Sequence, residues 1–247
     1  MENRIYGKKI DIDTNNTMSF YNQRAKTIEK REQVYTTVLL GDQDPDYSTR
    51  WDEYEKSYVI PRLSLDNNKT VLDLGCGMGR WADTLSDKCA NYYGVDFSAE
   101  MIEVARKKRR NNNCCFYNLS VVDALEDKRI TCRNYDLIIV TGVAMYINDE
   151  ELLVCYKKLK KLVNSKTIIY FEESVGKKER LTLNHIWSDN LNDYYGAIYR
   201  TREEYLDFIR QSMEMVEFYE EGYMDLLDKK ELSETSHWYA IFRCEGS

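Results

Sequence analysis

The sequence predicts an α/β fold built around a parallel sheet, and two observations predict it. From about residue 69 onward, short apolar runs alternate with longer amphipathic stretches, the rhythm of βα units. The first of those runs, TVLDL at 70–74, leads directly into Gly75-Cys76-Gly77-Met78-Gly79 and a helix-like pattern. Bare backbone between a strand and a helix is where such folds admit a ligand, because a β-carbon there would push it away.

Residues 17–31 and 46–59 read as two helices with aromatic faces, joined by the turn VLLGDQDPDY. Strands are expected at TVLDL (70–74), NYYGV (91–95), CCFYNL (114–119), YDLIIV (135–140) and KTIIYFE (166–172). Helical stretches near 79–88, 98–110 and 149–163 lie between them. Ser98 suits the N-cap of the middle one, whose apolar face carries Met101, Ile102 and Ala105. Asn148 or Asp149 suits the cap of the next, which has acids in its first turn and lysines near its end, as the helix dipole prefers. After residue 172 the rhythm is lost: 173–200 is long, aromatic and polar, without a clear period. TREEYLDFIRQS restores a helix, opened by a capping box of Thr201 and Glu204. Two last strands, around 214–222 and 237–244, are close enough in sequence to pair antiparallel at a sheet edge.

The 247 residues suit one α/β domain with additions, or at most two small domains. Apolar residues make up 43%, enough for a substantial core, and the 31% that are charged solvate the surface. The net charge of −7 argues against long nucleic acid as a partner. The one dense basic cluster, Lys107-Lys108-Arg109-Arg110, closes a predicted helix, where cations favour the negative end of the dipole. No apolar run is long enough to cross a membrane, and the opening MENRIYGKKIDIDTNN lacks the apolar centre of a signal peptide. Seven cysteines without a CxxC pair read as reduced thiols, so a cytoplasmic location is expected. With only His185 and His237, no metal site is expected.

The glycine loop raises the question of its ligand. A dinucleotide fingerprint is spaced G-x-G-x-x-G and holds an anionic pyrophosphate. Here the third glycine comes one residue early and Arg80 fills its slot. Asp73, just before the loop, would repel a phosphate and attract an ammonium group. Asp96, 23 residues further on, ends the next strand, where a carboxylate accepts hydrogen bonds from two ribose hydroxyls. Asp123 follows the third strand, where it suits an adenine amino group. An ammonium, a ribose and an aminopurine together describe S-adenosylmethionine.

VLDLGCGMGRWA, YYGVDFSAEMIEVAR, VVDAL and YDLIIVTGVAMYI resemble, in order and spacing, the motifs of class I S-adenosylmethionine-dependent methyltransferases. That resemblance covers residues 69–172, with the last strands in outline. It implies a Rossmann-like seven-stranded sheet in order 3-2-1-4-5-7-6, with the last strand antiparallel. It implies too that residues 1–68 form an N-terminal helical lid or extension. Residues 69–247 would then be the methyltransferase core, with 173–200 inserted after strand five as a substrate cap. On the same basis Asp73, Gly75 and Gly77 surround the methionine moiety and Asp96 holds the ribose. Phe97 flanks adenine, Asp123 and Ala124 complete the adenine pocket, and Thr141 lines the transfer mouth. Tyr21 and Arg24, three apart on one helix face, suit the sulfonium and the methionine carboxylate. The cofactor product would be S-adenosylhomocysteine.

The sulfonium methyl is already activated, so the protein mainly aligns and desolvates, and a base is needed where the accepting atom must lose a proton. His185 is the candidate base; His237, beside Trp238 in the last strand, reads as structural. Glu173, Tyr195, Tyr199 and Arg200 are candidate substrate contacts. The leading expectation is methyl transfer to an oxygen of a small molecule. FYNQRA, VLLGDQ, WDEYEK and GCGMGRWAD resemble bacterial methyltransferases of cell-surface polysaccharide or secondary-metabolite clusters, which suggests a sugar or phosphoramidate-type acceptor. A small-molecule N-methyltransferase and a non-catalytic S-adenosylmethionine-binding protein are the alternatives. A DPPY-like tetrapeptide of nucleic-acid amino-methylating enzymes is absent after strand four, where TGVA stands. Oligomeric state and acceptor identity are not legible.

Overall fold

A computed structural model describes residues 3–109, 112–213, 216–224 and 234–244. Arg110 of the basic cluster and the first two residues of the expected 214–222 strand lie outside them. The chain opens with a short strand, β1 (Arg4–Tyr6), followed by helices α1 (Thr14–Lys26), α2 (Thr36–Leu39) and α3 (Pro45–Val59). The central sheet then builds from β2 (Thr70–Leu74), β3 (Asn91–Asp96), β4 (Cys114–Asn118), β5 (Leu137–Thr141) and β6 (Ile168–Gly176). Between these strands lie α4 (Ala82–Leu85), α5 (Ala99–Lys108), α6 (Val121–Ala124), α7 (Lys128–Thr131) and α8 (Asp149–Leu159). A hairpin, β7 (Leu181–Ser188) and β8 (Asp193–Tyr199), precedes α9 (Arg202–Ser212), β9 (Val216–Tyr223) and β10 (Thr235–Cys244).

The seven-stranded sheet runs β4-β3-β2-β5-β6-β10-β9. Strands β2 to β6 pair parallel, and β10 pairs antiparallel with both β6 and β9. Allowing for β1 and the hairpin, this is the order expected from the sequence. Ser98 caps α5 by accepting from the Met101 amide at 3.1 Å, and Thr201 with Glu204 forms the expected box on α9. One helix falls short: the 79–88 stretch is helical only at α4, after a run of turns through the glycine loop.

The larger departure is in 173–200. It carries no helical period because most of it is strand: β6 runs on to Gly176, and β7 and β8 pair antiparallel. β1 adds to β7, with Arg4 opposite Leu183, to make a separate three-stranded sheet. The N-terminal segment and the hairpin are thus one unit. Leu181, Leu183, Tyr195 and Ala197 bury their side chains with Phe20 and Tyr21 of α1. The two faces of the main sheet are filled separately, one around Trp238 and Phe171 and the other around Trp51, Trp81 and Tyr170.

Asp149, at the start of α8, holds the end of the hairpin to the core. Its carboxylate accepts from Arg180 at 2.8 Å and from Arg200 at 2.7 Å, and Arg200 also donates to the Ala144 and Ile147 carbonyls. Both guanidiniums are buried, so removing the acid leaves Arg200 with carbonyl partners alone and Arg180 with Glu204 at 3.2 Å as its remaining acid. Asp149→Ala is expected to destabilise the fold by about 3 kcal/mol, measured by urea unfolding followed by far-ultraviolet circular dichroism.

Candidate active site

Where β2 ends, the chain turns through three glycines with positive φ: +81° at Gly75, +52° at Gly77 and +82° at Gly79. A β-carbon on Gly75 would lie 2.6 Å from Val143 Cγ2, and one on Gly77 would lie 3.0 Å from Val38 Cγ1. Conformation and space both demand glycine here. Asp96, closing β3, fixes the loop: one carboxylate oxygen accepts from the Gly77 amide at 2.9 Å and the other from the Ser98 amide at 2.9 Å. Asp73 is buried beside it and accepts from the Tyr92 hydroxyl.

Burial dominates the charge state of both acids. It pushes Asp73 up to about 7, against the pull of the Tyr92 hydroxyl and the Arg80 charge. It pushes Asp96 up to about 6, against the amides of Ser98 and Gly77. Two buried carboxylates held this way are poised to accept from a cationic, hydroxyl-bearing ligand.

The cavity between them encloses about 90 Å³. Tyr21, Asp73, Gly75, Gly77, Asp96, Phe97 and Thr141 of the sequence-predicted set all line it, with Arg80, Trp81, Met101, Tyr146 and Glu172. Thr141 accepts from the Trp81 indole at 3.2 Å. Val38 and Leu39 of α2 close the cavity from the N-terminal side. The residues fit S-adenosylmethionine: Asp96 spends one acceptor site per oxygen on the loop and keeps the rest, and the glycines leave the backbone bare.

Other candidates are used elsewhere. Arg24 turns away from the cavity and is buried against the segment after α1, donating to Asp42 at 2.5 Å and to the carbonyls of Thr36 and Thr37. Asp123 is exposed and closes the cap of α6, accepting from the Ser120 hydroxyl at 2.7 Å; Ala124 is buried in the core. Neither of them lines the cavity. Glu173 accepts from the amides of Val143, Ala144 and Met145, at 2.8, 2.6 and 3.3 Å, and so shapes the loop after β5. Burial and the neighbouring Glu172 push it up to about 8, while those amides oppose the shift. Arg200, fully engaged with Asp149 and two carbonyls, has no donor directed at a substrate. His185 is exposed on β7, stacked on Tyr194 with ring centroids 4.7 Å apart, and lines neither the cavity nor the cleft next to it.

That cleft encloses about 840 Å³ and is lined by residues of α2, the 41–47 segment, the hairpin and the start of β10. Tyr195 and Tyr199, two of the candidate substrate contacts, line it. A hydrogen-bonded row of tyrosines joins the two spaces: Tyr21 to Tyr146 at 2.7 Å, and Tyr146 to Tyr195 at 2.7 Å. Between cleft and cavity stands His237. It lines the cleft, its ring lies 4.1 Å from the Trp51 ring by centroids, and its Nδ1 meets Glu172 Oε1 at 2.8 Å. By sequence His237 reads as structural, although a signal for this placement is present. An antiparallel last strand begins where the parallel strands end, and His237 opposes Ser174 at the carboxyl end of β6.

Residues 65–243 match the family described as Methyltransferase domain. The chain belongs to that family. It is 29% identical to phosphoethanolamine N-methyltransferase 1 of Zea mays over 126 residues, 50% of this chain and 24% of that protein. To phosphoethanolamine N-methyltransferase 1 of Caenorhabditis elegans it is 27% identical over 120 residues, 49% of this chain and 25% of that protein. The chain thus spans about a quarter of the length of these curated relatives. Among solved structures, it shares its fold with Haemonchus contortus phosphoethanolamine N-methyltransferase 1 (TM-score 0.68, 16% identity, 92% of this chain and 48% of that one). It shares it also with a SAM-dependent methyltransferase of Leishmania major (TM-score 0.63, 17% identity, 94% and 87%). Membership of a methyltransferase family supports S-adenosylmethionine as the cofactor, the group the sequence called for. Among the described residues, no helix is long and apolar enough to cross a membrane.

Affinity for the cofactor should rise with pH from about 5.5 to about 7.5, because Asp96 and Asp73, near 6 and 7 when the site is free, must be ionised to accept from it. Isothermal titration across that range checks this, and Asp73→Asn should remove the upper part of the slope. A flat profile in the unaltered protein contradicts it.

Proposed function

We propose that this chain is an S-adenosylmethionine-dependent methyltransferase that transfers a methyl group to a hydroxyl oxygen of a small molecule, with His237 as general base. The paired Glu172–His237 side chains carry this reading. Glu172 lines the cofactor cavity and His237 the adjoining cleft, so the pair sits where the two spaces meet. With Nδ1–H donated to Glu172, Nε2 is left to accept the acceptor's proton, and the carboxylate stabilises the imidazolium that forms.

Asp73, Gly75, Gly77, Asp96, Phe97, Thr141 and Tyr21 would hold the cofactor, Asp73 toward its ammonium group and Asp96 toward its ribose. Bound there, S-adenosylmethionine supplies a sulfonium methyl group that needs no further activation. The chain's own residues do the remaining work. Tyr21 and Tyr146, held by their mutual hydrogen bond, wall the cavity and keep water from it. Tyr195 and Tyr199 wall the acceptor side. Within residues 1–68, the part carrying Tyr21, Val38 and Leu39 serves as the lid, since the cavity of about 90 Å³ that they close admits a nucleoside only if that part swings out. The hairpin within 173–200 serves as the substrate cap.

Methylation of nitrogen is the second reading. The curated relatives named above are phosphoethanolamine N-methyltransferases, and the cleft carries Asp44 and Glu234 among its aromatic walls. A base serves an ammonium acceptor as well, by taking its proton before transfer.

His237→Asn should lower kcat by about 100-fold or more, with cofactor affinity kept within about twofold. Turnover is read as S-adenosylhomocysteine released across a panel of hydroxyl and amine compounds. Unchanged kcat in that variant removes His237 as the base.

A further inference from the structure

The cleft next to the cofactor cavity says more about the acceptor than the atom it offers. Its volume of about 840 Å³ is in the range that encloses a drug-sized ligand, far more than a molecule of a few carbons needs. Its apolar lining comes from Leu39 and Leu40 at the end of α2 and from Leu181, Leu183, Ile186 and Leu191 of the hairpin, with Gln43, Ser174, Ser188, Asn190 and Thr235 as neutral polar groups among them. The charged residues among those lining it are Arg4, Asp44, Glu234 and His237. A phosphate is normally met by charge-assisted donors, most often arginine in a bidentate grip. Arg4 is committed instead: it pairs with Glu234, and its Nε donates to the Tyr6 hydroxyl at 2.9 Å. His237 is taken up by Glu172 on one side of its ring.

We infer that the acceptor is a bulky molecule with a substantial apolar part and no phosphate group, lying between the α2 turn and the hairpin with its reacting group at the His237 end. This rests on the proposed function only for which end reacts. The size and chemistry of the space stand apart from it. A bare phosphoethanolamine would leave most of those leucines facing water, and the one arginine among the described lining residues, Arg4, is already paired with Glu234.

Nile red, an uncharged planar dye that brightens on leaving water, is the probe. Titrated into the protein saturated with S-adenosylhomocysteine, it should bind saturably at one site. Ile186→Glu and Leu191→Glu, both at half-buried positions of the hairpin, should each weaken it by about tenfold or more by placing a carboxylate in the apolar wall. Both variants should keep the cofactor affinity of the unaltered protein, which shows that they fold. Millimolar phosphoethanolamine should neither displace the dye nor be methylated. Absence of saturable binding, binding indifferent to both variants, or displacement or methylation of phosphoethanolamine overturns the inference. Dye binding in the cleft together with full turnover by His237→Asn sinks the general-base reading alone. An inactive His237→Asn in a protein that does not bind the dye sinks this inference alone.

Discussion

Four carboxylates, Asp73, Asp96, Glu172 and Glu173, are buried along the carboxyl edge of one sheet, and the need to offset their charge shapes the site. Each has its own answer. Asp96 takes two backbone amides, Glu173 takes three, Glu172 takes the ring of His237, and Asp73 takes a tyrosine hydroxyl. Amides and hydroxyls lessen the cost of burying an anion without cancelling its charge. The uncompensated part is what a ligand carrying positive charge would relieve. The same arrangement repels a pyrophosphate, so it separates a nucleoside sulfonium from a dinucleotide by electrostatics as well as by glycine spacing.

The positive side of the balance comes largely from the N-terminal segment's neighbours. Arg80 follows the glycine loop and donates to Asp52 and Glu55 of α3 at 2.9 and 2.6 Å. Lys56, one residue on, pairs with Asp52 at 2.8 Å and donates to the Arg80 carbonyl at 2.9 Å. Glu55 also accepts from Tyr170 of β6 at 2.8 Å. The helix before the core is therefore tied by buried charge to the very loop that forms the cavity. Trp51 on the same helix packs on His237, so one element supports both the cofactor side and the base.

The main sheet was legible because parallel strands buried on both faces read as short apolar runs with acids or glycines at their tips. Ser98 and the Thr201–Glu204 box marked their helices for the same local reason, a side-chain oxygen beside unpaired amides. What failed were assignments resting on residue type alone. Arg24 and Arg200 are arginines near the site in sequence, yet each is consumed by carbonyls and an acid that no local pattern reveals. Asp123 satisfies its own helix cap, a role its position before a helical run allowed equally well. The 173–200 segment looked aperiodic because β7 carries a register shift between Leu183 and Ile186, where His185 takes a φ of +53°. That break throws His185 outward. His237 was hidden by the opposite error: its neighbours mark a core strand, and only the strand's direction places its first residues at the site.

The most direct measurement is a crystal structure grown with S-adenosylhomocysteine. The nucleoside is expected beneath α1 and α2, with its ribose on Asp96, the amino group of its amino-acid moiety on Asp73, and the sulfur toward the His237 end of the cleft. A ligand lying in the wide cleft instead, or carboxylates of Asp73 and Asp96 that make no contact with it, would contradict the account at its base.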